Sequence, residues 1–157
     1  MPTPVSDTSL IANALIAVLA SDAALLGVMP NGVYYDLAGK GATRYVIVHL
    51  NDAQDVAEFG RRTLERGDYL VKAVGLSIAL ASPSDMQAAA YRIDQLLEDQ
   101  PFAVAGYAWS TTHRIQPVHY TEIDGDNQSL RWYHRGGIYH VEFAPTGATG
   151  TRKGNRS

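Results

Sequence analysis

The chain has no cysteine among its 157 residues, which excludes disulfide staples, thiolate zinc sites and thiol catalysis while leaving its compartment open. It is also short of charge: 18% of residues are Asp, Glu, Lys or Arg, and the formal net charge is -3. That balance provides no broad field to attract nucleic acid or an anionic membrane. No apolar run reaches the roughly 18 residues of a membrane-crossing helix, and Met1 to Thr8 lack the basic and apolar regions of a secretory signal. The expectation is a protein that is soluble in the cytoplasm where it is made, with no membrane contact and another protein as its partner. A chain of this length suits one domain that buries about two thirds of its unfolded surface.

What is present is an order of elements. Pro2 and Pro4 disfavour an early helix, and Ser6 or Asp7 can cap one that follows. Leu10, Ile11, Ala14, Leu15, Val18 and Leu19 then recur at helical spacing, predicting an amphipathic helix from Thr8 to Ala20. Ser21-Asp22 can cap a short turn through Leu25 and Leu26, broken by Gly27, Pro30 and Gly32 before a small extended piece at Val33–Tyr35. Tyr45–Leu50 is a continuous β-prone run, the mark of a strand well inside a sheet. Residues 51–67 fit neither period and are read as a polar, hairpin-like excursion. Asp68–Leu80 is a second long strand, with Leu70, Lys72, Val74, Leu76, Ile78 and Leu80 on its more apolar parity, the side expected to face the helices.

Ser82-Pro83-Ser84-Asp85 is the sharpest local signal. Serine caps, proline takes the first helical position where its missing N–H is harmless, and aspartate closes a capping box. Met86, Ala89, Ala90, Ile93, Leu96 and Leu97 mark the buried face of a helix ending near Asp99. Phe102 to Gln116 and Leu130 to Phe143 read as late extended segments. Pro117 marks an edge or an end of pairing, and Gly136-Gly137 a bulge or kink. The sum is an α+β domain over residues 1–143, with a mainly antiparallel four-stranded sheet, two principal helices on one face and the excursion. Residues 144–157 are expected to be a flexible tail.

No segment carries a recognisable catalytic spacing. His113, His119, His134 and His140 lie on late strands, where Glu122, Asp124 or Glu142 could join them in a metal or acid-base site. None has the close helical spacing of a zinc motif, and the polar sides of strands often carry histidine. The Glu122–Asp126 loop is too short for a calcium loop. Asp94, Glu98 and Asp99 read as the outer face of a helix rather than a sugar-cleaving pair. Gly39-Lys40-Gly41 and Gly136-Gly137 lack the spacing of a phosphate cradle. Arg61, Arg62 and Arg66 alternate with Glu58 and Glu65, which favours a salt-bridged loop or subunit contact over nucleic-acid binding. Neither an enzyme nor a cofactor is expected. Tyr34, Tyr45, Tyr69, Tyr107, Trp109, Trp132, Tyr133 and Tyr139 can either cover sheet surface in a monomer or form subunit interfaces.

Several of these segments, in order, give the chain a likeness to a known family. They are Asp22-Ala23-Ala24-Leu25, Gly32-Val33-Tyr34-Tyr35-Asp36, Tyr45-Val46-Ile47-Val48, Ser84–Leu97 and Tyr133-His134-Arg135. Over about residues 8 to 143 the chain resembles the tail-completion or tail-terminator proteins of long-tailed bacteriophages. The resemblance implies a subunit of a hexameric ring that caps the tail tube, joins it to the head-side connector or neck protein, and lets DNA pass through its lumen without sequence-specific binding. It places the protein in the virion, at the tail or neck. It makes the excursion and the tail candidates for ring-to-ring contacts: Asp55, Glu58, Phe59, Arg61, Arg62, Glu65, Arg66, Arg152 and Lys153. The edges of Asp68–Leu80 and Leu130–Phe143 become candidates for subunit contacts, through Tyr69, Trp109, Trp132, Tyr133, Arg135 and Tyr139. Glu122, Asp124 and Asp126 form a candidate acidic loop facing the lumen. The charged excursion departs from the compact connection of that family and leaves another neck or connector ring as one alternative. A small metal-dependent hydrolase is the other, and it requires at least three of His113, His119, His134, His140 and Glu142 to converge.

Overall fold

The computed structural model describes residues 8–58 and 61–146. Helix α1 (Thr8–Ala20) has the bounds its apolar spacing predicts. Asp22 accepts the amide of Leu25 at 2.9 Å and starts α2 (Ala23–Val28). The same carboxylate receives Arg92 of α3 (Ser84–Leu97) as a two-point fork, at 2.8 and 2.6 Å, tying two helices together. The start of α3 follows the serine-proline-aspartate logic. Ser82 Oγ accepts the Ser84 amide, Pro83 is already helical, and Asp85 Oδ2 accepts the amides of Ala81 and Ser82.

Five strands form one sheet in the order β1-β2-β3-β5-β4. They are β1 (Val33–Tyr35), β2 (Arg44–Glu58), β3 (Arg61–Leu76), β4 (Tyr107–Ile123) and β5 (Arg131–Pro145). The short β1 runs parallel to β2, and every other pairing is antiparallel. The small extended piece is thus a fifth strand beside the expected four. The hairpin-like excursion continues β2 and β3 into one long hairpin, paired as far as Glu58↔Arg61 with register shifts at Leu50/Asp52 and Val56/Ala57. β3 ends at Leu76, where a 3-10 turn (Ser77–Ala79) leads toward α3. β5 continues two residues past the expected boundary at Phe143, and residues 147–157 of the expected tail lie outside the described residues.

One sheet face carries the helices. Ile11, Leu15 and Leu19 of α1 and Met86, Ala89, Ile93 and Leu97 of α3 share a core with Val46, Val48, Tyr69, Val71, Ala73, Tyr139, Val141 and Phe143. This reverses the expected parity of β3: Tyr69, Val71, Ala73 and Gly75 face the helices, whereas Leu70, Lys72, Val74 and Leu76 face away. Size decides the matter. A Cβ on Gly75 would lie 2.6 Å from Met86 Sδ and 2.9 Å from Leu80 Cδ2, so helix α3 approaches only where the strand is small. The glycine pair also differs from its expected role. The register shifts next to β5 fall in β4, at Trp109/Thr111 and Arg114/Gln116. Gly136 and Gly137 instead allow close neighbours, since a Cβ on Gly136 would lie 2.1 Å from the Val71 carbonyl oxygen.

Candidate functional site

The strand residues that point away from the helices form cross-strand rows, because side chains alternate faces and the registers align them. One row runs Tyr45, Val74, His134, Tyr120. Tyr120 stacks flat on His134, with ring centroids 4.2 Å apart, and its hydroxyl oxygen accepts a hydrogen bond from Lys72 Nζ. Tyr45 meets Tyr34 edge-on and Trp132 at a tilt. Burial pulls the His134 imidazole below its ordinary pKa and the nearby Lys72 charge adds to this, while Glu122, 3.3 Å away, opposes them. His134 therefore favours its neutral form.

A second row runs Asp52, Asp68, His140, His113 toward the hairpin end. His140 Nδ1 lies 2.6 Å from Asp68 and Nε2 lies 2.8 Å from Glu142, whose carboxylate also meets Arg66 at 3.5 Å. Burial lowers the His140 pKa, but the bonds to Glu142 and Asp68 and their charges outweigh it, leaving the group above its ordinary value. Asp52, Gln54, Arg66, Gly67, Asp68 and His140 line a shallow depression. In this cluster each ring nitrogen of His140 is already engaged by a carboxylate.

The structure separates the late histidines. His113 and His140 are neighbours at 5.2 Å between ring centroids, His134 lies with Tyr120 in the other row, and His119 is exposed opposite Arg135. Among the described residues, no group of three His, Cys, Asp or Glu is arranged to hold a metal ion.

The residues proposed for subunit contact are also redistributed. β3 and β5 are interior strands, so their edges are already paired. Tyr69 and Tyr139 are core residues, 1% and 0% exposed, and the Tyr139 hydroxyl donates to Asp94 of α3 at 2.8 Å. Trp109 donates to Thr112 on its own strand. Trp132, Tyr133 and Arg135 remain half-buried, with Arg135 donating to the Tyr120 carbonyl. In the acidic loop, Asp124 organises the β4–β5 turn by accepting the amides of Asp126 and Asn127 and the Trp132 indole N–H. Glu122 leans toward His134, and Asp126 is exposed. Of the ring-to-ring candidates, Glu65 is buried and Arg66 bridges to Glu142. Phe59, Arg152 and Lys153 lie outside the described residues, as do the side chains of Asp55, Glu58, Arg61 and Arg62.

The true sheet edges are β1 with the distal half of β2 on one side and β4 on the other, and each is half covered. On β4, the Asp99 amide donates to the Thr112 carbonyl, and Glu98 accepts the Arg114 amide at 2.6 Å, so the α3–β4 connection closes the first half. On β2, the chain from Gly32 to Asp36 covers Val46–Val48. Among the described residues, nothing hydrogen-bonds the outer backbone of Ile115–Ile123 or of Asn51–Glu58 from beyond the sheet. Ile115, Tyr120 and Ile123 on the first of these are exposed. The sequence signals for this were Pro117, which fits an edge strand, and the lack of a sustained apolar alternation across 107–123.

No family model matches the chain, and no curated protein matches it. The class that can be assigned is therefore one of fold: an α+β domain with a mixed, mostly antiparallel sheet and helices on one face. That fold is similar to a chain from the virion of a native gene transfer agent particle, with a TM-score of 0.67, 15% identity, and coverage of 90% of this chain and 99% of that one. A second solved chain, whose name states no function, matches with a TM-score of 0.50 and 18% identity over 88% of this chain and 95% of that one.

Proposed function

We propose that this chain is a structural virion subunit that assembles as a closed ring, six copies in number, terminating a phage-type tail tube and joining it to a head-side connector. The observation that carries this reading is the fold correspondence with a virion chain over nearly the whole of both molecules. The order of sequence motifs supports the terminator position within that broader class. The half-open edges fit a subunit built to join copies, since closed symmetry repeats one modest interface and leaves no end exposed. On this reading the protein contacts itself, the tail tube protein and a neck protein, and DNA passes through the lumen without base recognition. It works by shape and contact rather than by catalysis.

The test is native mass spectrometry of the purified chain with particle imaging, alone and mixed with tail tubes. A sixfold ring on one end of the tube is expected. A ring that binds only connector particles would move the protein to another ring of the neck. A monomer that binds neither would overturn the proposal.

A further inference from the structure

The two open edge segments are complementary, and the geometry points to their pairing between copies: Ile115–Ile123 of one subunit, in which Pro117 supplies a carbonyl but no N–H, adds as an antiparallel strand to Asn51–Glu58 of the next, continuing the sheet around the ring. This rests on the ring reading above and specifies the interface that builds it.

Three observations carry it. First, direction: β2, β3, β5 and β4 alternate in sense, so a second copy placed beside β4 in the same orientation presents its β2 antiparallel to it. Second, position: the open half of β4 lies opposite β5 residues 131–138, at the end of the sheet where β2 is covered by β1. The open half of β2 lies at the other end, where β4 is covered by Glu98 and Asp99. The open segments sit diagonally across the sheet. Pairing them offsets each copy along the strand direction, the stagger that closure of a sheet into a barrel requires. Third, charge: Asn51–Glu58 contains Asp52, Asp55 and Glu58 and no basic residue. Two-fold pairing of this edge with itself would set those carboxylates against the same three in the partner, whereas Ile115–Ile123 brings only Glu122. Charge thus favours head-to-tail pairing over two-fold pairing of the β2 edge, and only head-to-tail pairing generates a ring.

The arrangement has an apolar consequence. With β4 beside the distal half of β2, the end of β4 at Ile123 comes next to the segment that leaves β1, where Leu37 is 83% exposed and Tyr35 is 42% exposed; Ile123 itself is 61% exposed. Side chains that stand alone in the monomer are buried against each other in the ring.

The absence of native cysteine makes the contact directly testable in the full chain. L37C and I123C are combined in one molecule and oxidised mildly, and products are resolved under denaturing conditions. A ladder of covalent oligomers ending in a closed species is expected. The control pair L37C with Y91C, which adds an exposed position on α3 instead, should give at least tenfold less. A second arm, I123D, should leave the monomer's far-ultraviolet circular dichroism unchanged and weaken self-association at least tenfold by sedimentation. Rings that form but cross-link no better through Leu37 and Ile123 than through the control overturn this interface while leaving the virion function standing. Cross-linked ladders from a protein that binds no tail tube would support the interface and count against the function. A chain that stays monomeric at millimolar concentration, without ladders, overturns the interface.

Discussion

The two faces of the sheet are built from the same strands by different rules. The helix face is the drier one: Val46, Val48, Val71, Ala73, Tyr139, Val141 and Phe143 are at most 1% exposed and share one core with the apolar sides of α1 and α3, while the Tyr139 hydroxyl donates to the Asp94 carboxylate. The open face is a set of polar rows in which His140 meets Asp68, Arg66 meets Glu142 and His134 meets Glu122 across neighbouring strands. The helix face holds the domain together. Among the described residues, the open face and the half-covered edges carry no further layer, and on the proposed ring reading they are where copies meet.

This contrast sets a scale for substitutions. The largest effect belongs to the dry face: Phe143→Ala removes a ring packed edge-on against Phe102 and Tyr107 and should cost about 3–5 kcal/mol in urea unfolding. A loss under 1 kcal/mol would show that the face is not the core described. Next comes close approach. Gly136→Ala forces a Cβ against the Val71 carbonyl and should destabilise by about 1–3 kcal/mol, whereas Gly106→Asn, at a positive-φ position with open space around it, should change stability by less than about 1 kcal/mol. Equal effects at the two glycines would break the argument from close packing.

A smaller effect is expected at the join between helices. Asp22→Ala loses the cap of α2 and the Arg92 fork together and should cost about 1–2 kcal/mol near neutral pH. The Arg92 bond, foremost, and the Leu25 amide hold the Asp22 carboxyl below its ordinary 3.8. Its contribution is present above that pH and is lost as pH falls through the lower folded value, so the variant and the wild type should converge in acid.

The smallest effects separate the two histidines of the open face by sign. His140 is raised above 6.5 in the folded state, so its stabilisation is full below that pH and is lost as pH rises through the folded value. His134 is lowered, so its contribution is present above 6.5 and is lost as pH falls through its folded value. His140→Asn should flatten the alkaline side of the stability profile and His134→Asn the acidic side, each by less than about 1 kcal/mol. Profiles measured by denaturant midpoint across pH 5 to 9 would show the same direction for both if the rows were not as described.

The parts of the fold readable in the sequence were those fixed by local rules. The stripe of α1, the Asp22 cap and the Ser82–Asp85 box specify their elements within a few residues, and alternation in β5 correctly opposes Tyr139, Val141 and Phe143 to His140 and Glu142. What could not be read depended on distant partners. Counting large apolar residues in β3 selected the wrong face, because the close approach of α3 at Met86 needed Ala73 and Gly75 rather than bulk. Residues 51–67 did read as a hairpin-like excursion, and they pair as the distal part of the β2–β3 hairpin; what their mixed period hid is that the pairing runs on from both strands, with register shifts at Leu50/Asp52 and Val56/Ala57. The candidate edges were misassigned for a related reason. Which strands are interior is a property of topology, and nothing in the composition of β3 or β5 announces that β4 lies outermost.

In the proposed function the sheet's open edges join copies of this chain into a ring that seats on a tail tube. Electron microscopy of tail tubes incubated with the purified protein tests it most directly, in the same preparation for wild type and I123D. The account predicts sixfold density at one tube end for the wild type and bare ends for I123D. Bare tube ends with the wild type, at protein concentrations well above that of the tubes, would contradict it.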